Sequence, residues 1–312
     1  MNILVTGGAG FIGSHVVDAL IAAGHRVSIV DNLCKTGGGC VENVNPGTHR
    51  FHEIDIRDDR LASVFEKEKP EIVCHLAAQS SLSISTREPD YDADVNVMGT
   101  LKLLAHCVQH SVRKVIFASS SAIYGIIEQM PIHEDTPKSP PETPYGVAKL
   151  AVEGYLHVWR QIFGLDFTIF RFGNVYGPRQ NPNMENGVIA IFADAILQGR
   201  PVRIDGDGCQ SKDYVYVGDI ARAHVLALEH GGGEAYCLGT RRATSVNWLY
   251  ERLAELIGHG TDVRHAPQRV GDVLWFSFDC SKAKRDLGWD PKVDLETGLK
   301  LTVEHYRRNR EG

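Results

Sequence analysis

The chain lacks any C-x-x-C pair, and its seven cysteines, Cys34, Cys40, Cys74, Cys107, Cys209, Cys237 and Cys280, are scattered and odd in number. That pattern excludes a disulfide framework and fits free thiols in a reducing compartment. No apolar run is long enough to span a bilayer, and a core strand starts at the second residue with no cleavable leader before it, so a cytoplasmic protein with no membrane partner is expected. Basic residues are not in excess. With 33 Lys and Arg against 39 Asp and Glu, the net charge is −6, which argues against a nucleic-acid partner and leaves any phosphate to be met by individual residues. Repeats, low-complexity tracts and charged tails are missing too. His106 and His110 have helical i,i+4 spacing, but with no third ligand evident no metal is expected there. The chain does hold 43% hydrophobic residues over 312 positions, more than one compact core usually serves, so two lobes are expected.

The N-terminus reads as strand, glycine turn and helix. Asn2-Ile3-Leu4-Val5-Thr6 runs into Gly7-Gly8-Ala9-Gly10-Phe11-Ile12-Gly13, which opens an amphipathic stretch from Ile12 to Ala23. In this pattern Gly7 permits the tight turn, Gly10 lets the backbone approach a pyrophosphate, and Gly13 allows helix and strand to pack closely. A second strand, Val27 to Val30, ends in Asp31, eighteen residues after Gly13. An acidic side chain there accepts both ribose hydroxyls and repels a 2′-phosphate, which favours NAD over NADP.

Chemistry enters with Ser119-Ser120-Ser121 and Tyr145-Gly146-Val147-Ala148-Lys149. On a helix Tyr145 and Lys149 share one face, so the ammonium can sit near the phenol. A phenol of pKa about 10 is no base at neutral pH unless positive charge stabilises the phenolate. Lys149 is one candidate for that charge, and an oxidised nicotinamide ring is a second.

Strand-like runs at Arg50–Ile54, Glu71–Leu76, Lys114–Ala118 and Asp166–Phe172 alternate with helical ones at Asp58–Glu68, Tyr91–Gln109 and Tyr145–Phe163. Such alternation predicts an α/β fold of Rossmann type, a doubly wound parallel sheet with ligands at the carboxyl ends of its strands. Asp31, Asp55, Ala77-Ala78 and Ser119-Ser120 fall on that rim. Beyond Phe172 the turn-rich segment Gly173 to Pro182 marks the exit to a smaller α/β substrate-binding lobe. The expected division is 1–173 and 174–312, with 214–240 returning to the first lobe. Helices are expected over Gly187–Leu197, Asp219–Glu229 with Asp219 as its cap, Val246–Ile257 and Leu295–Arg308.

With the glycine turn, Asp31, the serine run and Y-x-x-x-K in order, the chain resembles the extended short-chain dehydrogenase/reductases, specifically the NAD-dependent nucleotide-sugar epimerase/dehydratase family. Asn174-Val175-Tyr176-Gly177-Pro178-Arg179-Gln180, followed by Gly187-Val188-Ile189-Ala190-Ile191-Phe192, looks most like the shorter UDP-glucose 4-epimerases. The resemblance implies Tyr145 as acid/base, Lys149 as its tuner and a ribose ligand, and Ser120 as the bridging hydroxyl, four residues before Tyr124-Gly125, with Ser119 and Ser121 as alternatives. It implies NAD contacts from Gly7, Gly10, Phe11, Ile12, Gly13, Asp31, Asn32, Asp55, Ile56, Leu76, Ala77, Ala78, Asn96 and Phe172. It also implies a UDP-hexose partner, held by Ser120, Ser121, Asn174, Val188, Lys212, Tyr214, Arg269 and Asp272, and a homodimer built on the helices Tyr91–Gln109 and Tyr145–Phe163.

Two departures refine what the resemblance implies. Relatives have Arg where Lys212 precedes Asp213-Tyr214, and lysine keeps the charge without the planar fork. Sugar-nucleotide 4,6-dehydratases place an Asp-Glu pair where this chain has Ser121-Ala122, and neither residue can serve as the acid or base that elimination requires. The expected reaction is therefore 4-epimerisation of a UDP-hexose by transient oxidation at C4. UDP-glucose/galactose leads, with UDP-glucuronate or N-acetylated sugars, a net oxidoreductase, or an NAD-sensing protein as alternatives.

Overall fold

The computed structural model describes residues 1–34, 37–184, 187–268 and 274–311. Its strands are β1 (Asn2–Thr6), β2 (Arg26–Asp31), β3 (Arg50–Glu53), β4 (Ile72–His75), β5 (Lys114–Ser120), β6 (Asp166–Phe172), β7 (Asn174–Tyr176), β8 (Val202–Asp205), β9 (Ser211–Tyr216), β10 (Glu234–Leu238), β11 (Ala243–Ser245) and β12 (Val263–Ala266). The helices are α1 (Phe11–Ala22), α2 (Leu61–Glu68), α3 (Leu82–Arg87), α4 (Pro89–Ala93), α5 (Thr100–Gln109), α6 (Pro144–Phe163), α7 (Val188–Leu197), α8 (Val217–Leu226), α9 (Val246–Ile257), α10 (Ser281–Leu287) and α11 (Leu295–Glu311).

Seven strands form one sheet in the order β3-β2-β1-β4-β5-β6-β10, every pair parallel. The unbroken apolar runs of β1 and β4 suit a sheet covered on both faces. On one face Val16, Val17, Leu20 and Ile220, from α1 and α8, join the core. On the other, Phe65, Leu103, Val152 and Leu156 from α2, α5 and α6 close it. The strand order reverses between β1 and β4, and a ligand crevice opens at such a switch point. A third core, with Phe192, Ile196, Leu249, Leu253 and Tyr306, holds α7, α9 and α11 together as a smaller lobe.

The chain crosses between lobes more often than the sequence suggests. β10 joins the large sheet beside β6, whereas β9 pairs with β7 and β11 in a separate three-stranded sheet. A further return, unmarked by any local pattern, brings Phe276, Phe278, Cys280, Leu287 and Trp289 into the large core.

Three readings need correction. Asp219 is not a helix cap, because α8 begins two residues earlier with Tyr216 at its N-cap. Its carboxylate instead accepts N–H bonds from Lys292 and Val293 and pairs with Arg222, fastening the final segment to α8. The single helix expected over Tyr91–Gln109 is α4, a π-helical stretch Asp94–Gly99, and then α5. Several strand ends also shift by a residue or two, as Lys114–Ser120 does at β5. His106 and His110 pack with Phe65 at ring separations of 5.5 and 5.7 Å, and no group of three or more His, Cys, Asp or Glu able to hold a metal occurs among the described residues. No helix among them is long and apolar enough to cross a membrane.

Candidate active site

The glycine turn works through close backbone approach. Gly7 sits at φ +71°, and a Cβ there would lie 2.7 Å from the Ala77 nitrogen. A Cβ on Gly13 would lie 2.0 Å from the Gly7 carbonyl oxygen. Glycine at both positions lets β1 turn into α1 against the end of β4. No side chain caps the α1 N-terminus, so its first-turn N–H groups and dipole are available to an anion.

A cleft of about 240 Å³ opens at this point, lined by Gly7, Gly10, Phe11, Ile12, Gly13, Asp31, Asn32, Asp55, Ile56, Leu76, Ala77, Ala78, Tyr145, Lys149 and Phe172 among others. Asp31 ends β2, and its carboxylate accepts from the Ala9 and Leu33 N–H groups at 3.0 and 2.9 Å. Burial raises its pKa, and these backbone bonds offset part of the effect. Both oxygens keep lone pairs for a diol. Asp55 accepts from Arg57 through both oxygens and from Asn32 Nδ2 at 2.8 Å, and the guanidinium holds its carboxyl down at about 2. A backbone cradle that excludes Cβ atoms, an uncapped helix end and a carboxylate at the end of β2 together fit a dinucleotide.

Asn96 does not line the cleft. It is buried behind it, accepting from Gln79 N at 3.0 Å and donating to the Gln79 carbonyl at 2.9 Å and to Asp92 Oδ1 at 3.1 Å. It therefore shapes the loop after β4 rather than facing the cleft.

Tyr145 and Lys149 line the cleft, and Ser120 lies beside the Tyr145 phenol without lining the cleft itself. Thr143 caps α6 by accepting from the Gly146 N–H, with Pro144 at the first helical position, and the Tyr145 N–H donates to Ser85 Oγ at 2.7 Å. Tyr145 is thereby fixed in the first turn, where the Ser120 side chain lies close enough to its phenol to lower the phenol's proton affinity. Successive residues of β5 point to opposite faces. Ser119 lines the cleft but commits its Oγ to Glu153 Oε1 at 2.6 Å, and Ser120 is the hydroxyl beside the Tyr145 phenol. Ser121 opens the 3-10 turn Ser121–Tyr124.

Electrostatics alter one expectation. Lys149 Nζ donates to the Ala118 carbonyl at 2.8 Å and lies 5.7 Å from the Tyr145 ring centroid. Burial pulls the lysine down to about 8 and pushes the phenol up to about 12, the Ser120 side chain offsetting part of the latter. Desolvation by burial thus dominates the Tyr145 phenol and keeps it protonated at neutral pH in the chain by itself.

On the smaller lobe, Asn174 stands opposite Tyr214 in the parallel β7–β9 pair, and Lys212 shares the Tyr214 face of β9 by alternation. Tyr214 is buried with the small-lobe core, Lys212 is half-buried, and Val188 is the first residue of α7. Arg269 and Asp272 lie outside the described residues. The sequence reading missed Gln79, Ser80 and Tyr91, which also line the cleft. It missed as well the buried pair Glu153–Arg171, with Nη2 to Oε2 at 2.7 Å. Glu153 had a signal, since it continues the Tyr145, Lys149 face at i+8.

The model of the NAD dependent epimerase/dehydratase family matches residues 3–239. The chain is 41% identical over 313 residues to the UDP-glucose 4-epimerase of Mycolicibacterium smegmatis, covering 98% of this chain and 99% of that one. The crystal structure of the Thermotoga maritima UDP-glucose 4-epimerase with UDP-glucose superposes with a TM-score of 0.95 at 47% identity, covering 99% of this chain and 100% of that one. The Thermus thermophilus UDP-glucose 4-epimerase in complex with NAD gives a TM-score of 0.93 at 42% identity, covering 98% and 99%. The chain belongs to the NAD-dependent epimerase/dehydratase family.

Proposed function

We propose that the chain is a UDP-sugar 4-epimerase acting on UDP-glucose and UDP-galactose. The observation that carries this reading is that Tyr145 and Lys149 line one cleft beside the glycine turn, with Ser120 next to the Tyr145 phenol, in a chain alignable over nearly its whole length with UDP-glucose 4-epimerases. Tyr145 takes the proton of the sugar 4-hydroxyl, directly or through Ser120, and later returns it. Lys149 adds positive charge beside the phenol and offers N–H donors to a ribose. Gly7, Gly10, Phe11, Ile12, Gly13 and Asp31 would hold NAD, which would supply the hydride acceptor and donor for C4 and positive charge beside the phenol.

Asn174, Val188, Lys212, Tyr214, Arg269 and Asp272 are proposed to anchor the UDP, so that the neutral 4-keto hexose can turn about its diphosphate. Ser121 and Ala122 offer no acid pair for elimination of water. A homodimer fits the outward face of α6, where Val147, Val158, Ile162 and Phe163 are exposed, and the π-helical stretch before α5, where Met98 is exposed, because closed two-fold pairs are the commonest soluble assembly. The test is to incubate the purified protein with UDP-galactose and no added nucleotide cofactor and to separate the products. UDP-glucose should accumulate to a fixed ratio from either direction, and conversion that depends stoichiometrically on added NAD would indicate a net oxidoreductase.

A further inference from the structure

Lys149 is 3% exposed, and no carboxylate among the described residues lies within ion-pair distance of it. A buried ammonium whose protein acceptor is one neutral carbonyl is costly and tends to shed its proton. Glu153, on the same face of α6, is engaged by Arg171 and Ser119. One layer away, Asp92 on α4 is fully buried, and α4 packs on α6. Its Oδ1 accepts from Gln79 Nε2 at 2.8 Å and Asn96 Nδ2 at 3.1 Å, both neutral amides. Its Oδ2 has no hydrogen-bond partner, and no cation pairs with it among the described residues. Lys149 is thus a buried cation with no carboxylate paired to it and Asp92 a buried carboxylate with no cation paired to it, on two helices in contact.

We propose that Asp92 is a positioning residue that acts through Lys149, as the counter-charge that keeps this lysine protonated at the cofactor cleft, with Gln79 and Asn96 fixing its orientation. The direction of its field agrees, because Asp92 raises the affinity of both Lys149 and Tyr145 for a proton. The other charged groups around Asp92 are accounted for. Asp94, in the adjoining π-helical stretch, is paired with Arg57, and Arg87 is paired with Glu88 where α3 meets α4. His75, beyond Thr100, is held neutral by burial. Asp92 touches neither reacting atom in this reading. It sets the pH range over which the pair works.

The test compares Asp92→Asn, Asp92→Ser and Asp92→Glu with the parent protein, and its first measurement needs no turnover. Competitive acetylation across pH, read on the peptide carrying Lys149 by mass spectrometry, gives that lysine's titration midpoint. The parent midpoint should lie near 8. It should fall by about 1 pH unit in the two neutral variants, the lower end of what loss of a nearby opposite charge produces. The glutamate variant should keep the parent value. The second measurement, which rests on the epimerase reading above, is the pH profile of kcat. Losing Asp92 lowers the proton affinity of phenol and ammonium together, so both limbs should move to lower pH in the same sense. An unchanged Lys149 midpoint in both neutral variants, or an equal drop in the glutamate variant, overturns the proposal. Absence of parent turnover overturns the functional reading instead and leaves the acetylation result decisive for Asp92.

Discussion

Removing the Ser119 and Ser120 hydroxyls one at a time should damage different properties, although the residues are neighbours. Ser119 Oγ donates at 2.6 Å to Glu153 Oε1, a buried carboxylate paired with Arg171. Hydrogen bonds to charged groups contribute about 1.5–3 kcal/mol, so Ser119→Ala should destabilise the fold by about 2 kcal/mol. Glu153 keeps its two bonds to Arg171, so the helix carrying Tyr145 and Lys149 stays in place and turnover should remain within about tenfold of the parent. Ser120 Oγ accepts from the Ala122 N–H at 3.2 Å, a turn cap whose loss costs about 1 kcal/mol. It is also the hydroxyl beside the Tyr145 phenol, so Ser120→Ala should lower kcat by about 10²–10⁴-fold, the range of positioned proton transfer. Urea unfolding followed by tryptophan fluorescence, beside an epimerase assay coupled to product detection, reads both effects. The reasoning fails if Ser119→Ala abolishes turnover while Ser120→Ala retains it, or if Ser119→Ala leaves stability unchanged.

Gly13→Ala should abolish NAD retention and lower stability by about 3 kcal/mol or more, because the new Cβ meets the backbone carbonyl of Gly7 rather than a movable side chain; cofactor assay of the denatured supernatant and urea unfolding check this. Acid should destabilise the fold below about pH 6.5, the unfolded histidine value: burial depresses His75 to about 3 and His224 to about 4, so their stabilising contribution is complete above the unfolded value and is lost as pH falls. The size is about 2 kcal/mol each at pH 5, and urea midpoints that do not fall between pH 7 and 5 would contradict it. Ile162→Glu should convert a dimer seen by light scattering into a monomer with its unfolding midpoint preserved, since Ile162 is exposed in the single chain.

Features carried by local pattern were legible in the sequence. The strand, glycine turn and helix around Gly7 to Gly13, Asp31 at a strand end, and Tyr145 with Lys149 on one helical face each depend on spacings within about twenty residues. The structure places them as those spacings require. What was not legible depends on contacts distant in sequence. Asp219 looks like a cap from its neighbours, yet its partners are Lys292 and Val293. Asn96 looks like a lining residue, but its side chain is committed to Gln79 and Asp92. The raised phenol of Tyr145 reflects its burial, a quantity no spacing reports. The return of Phe276 to Trp289 into the large core likewise follows from where the smaller lobe ends.

The central claim is that one active site oxidises and re-reduces C4 of the same sugar, with Tyr145 moving the proton. The direct measurement mixes UDP-galactose deuterated at C4 with unlabelled UDP-galactose and follows the UDP-glucose formed by mass spectrometry. The account predicts that deuterium stays at C4 of its own molecule without added NADH, with no 4-keto-6-deoxy product, and that Tyr145→Phe slows conversion by at least about 10²–10⁴-fold. Deuterium exchanged between molecules, loss of water from the sugar, or full activity in Tyr145→Phe would contradict it.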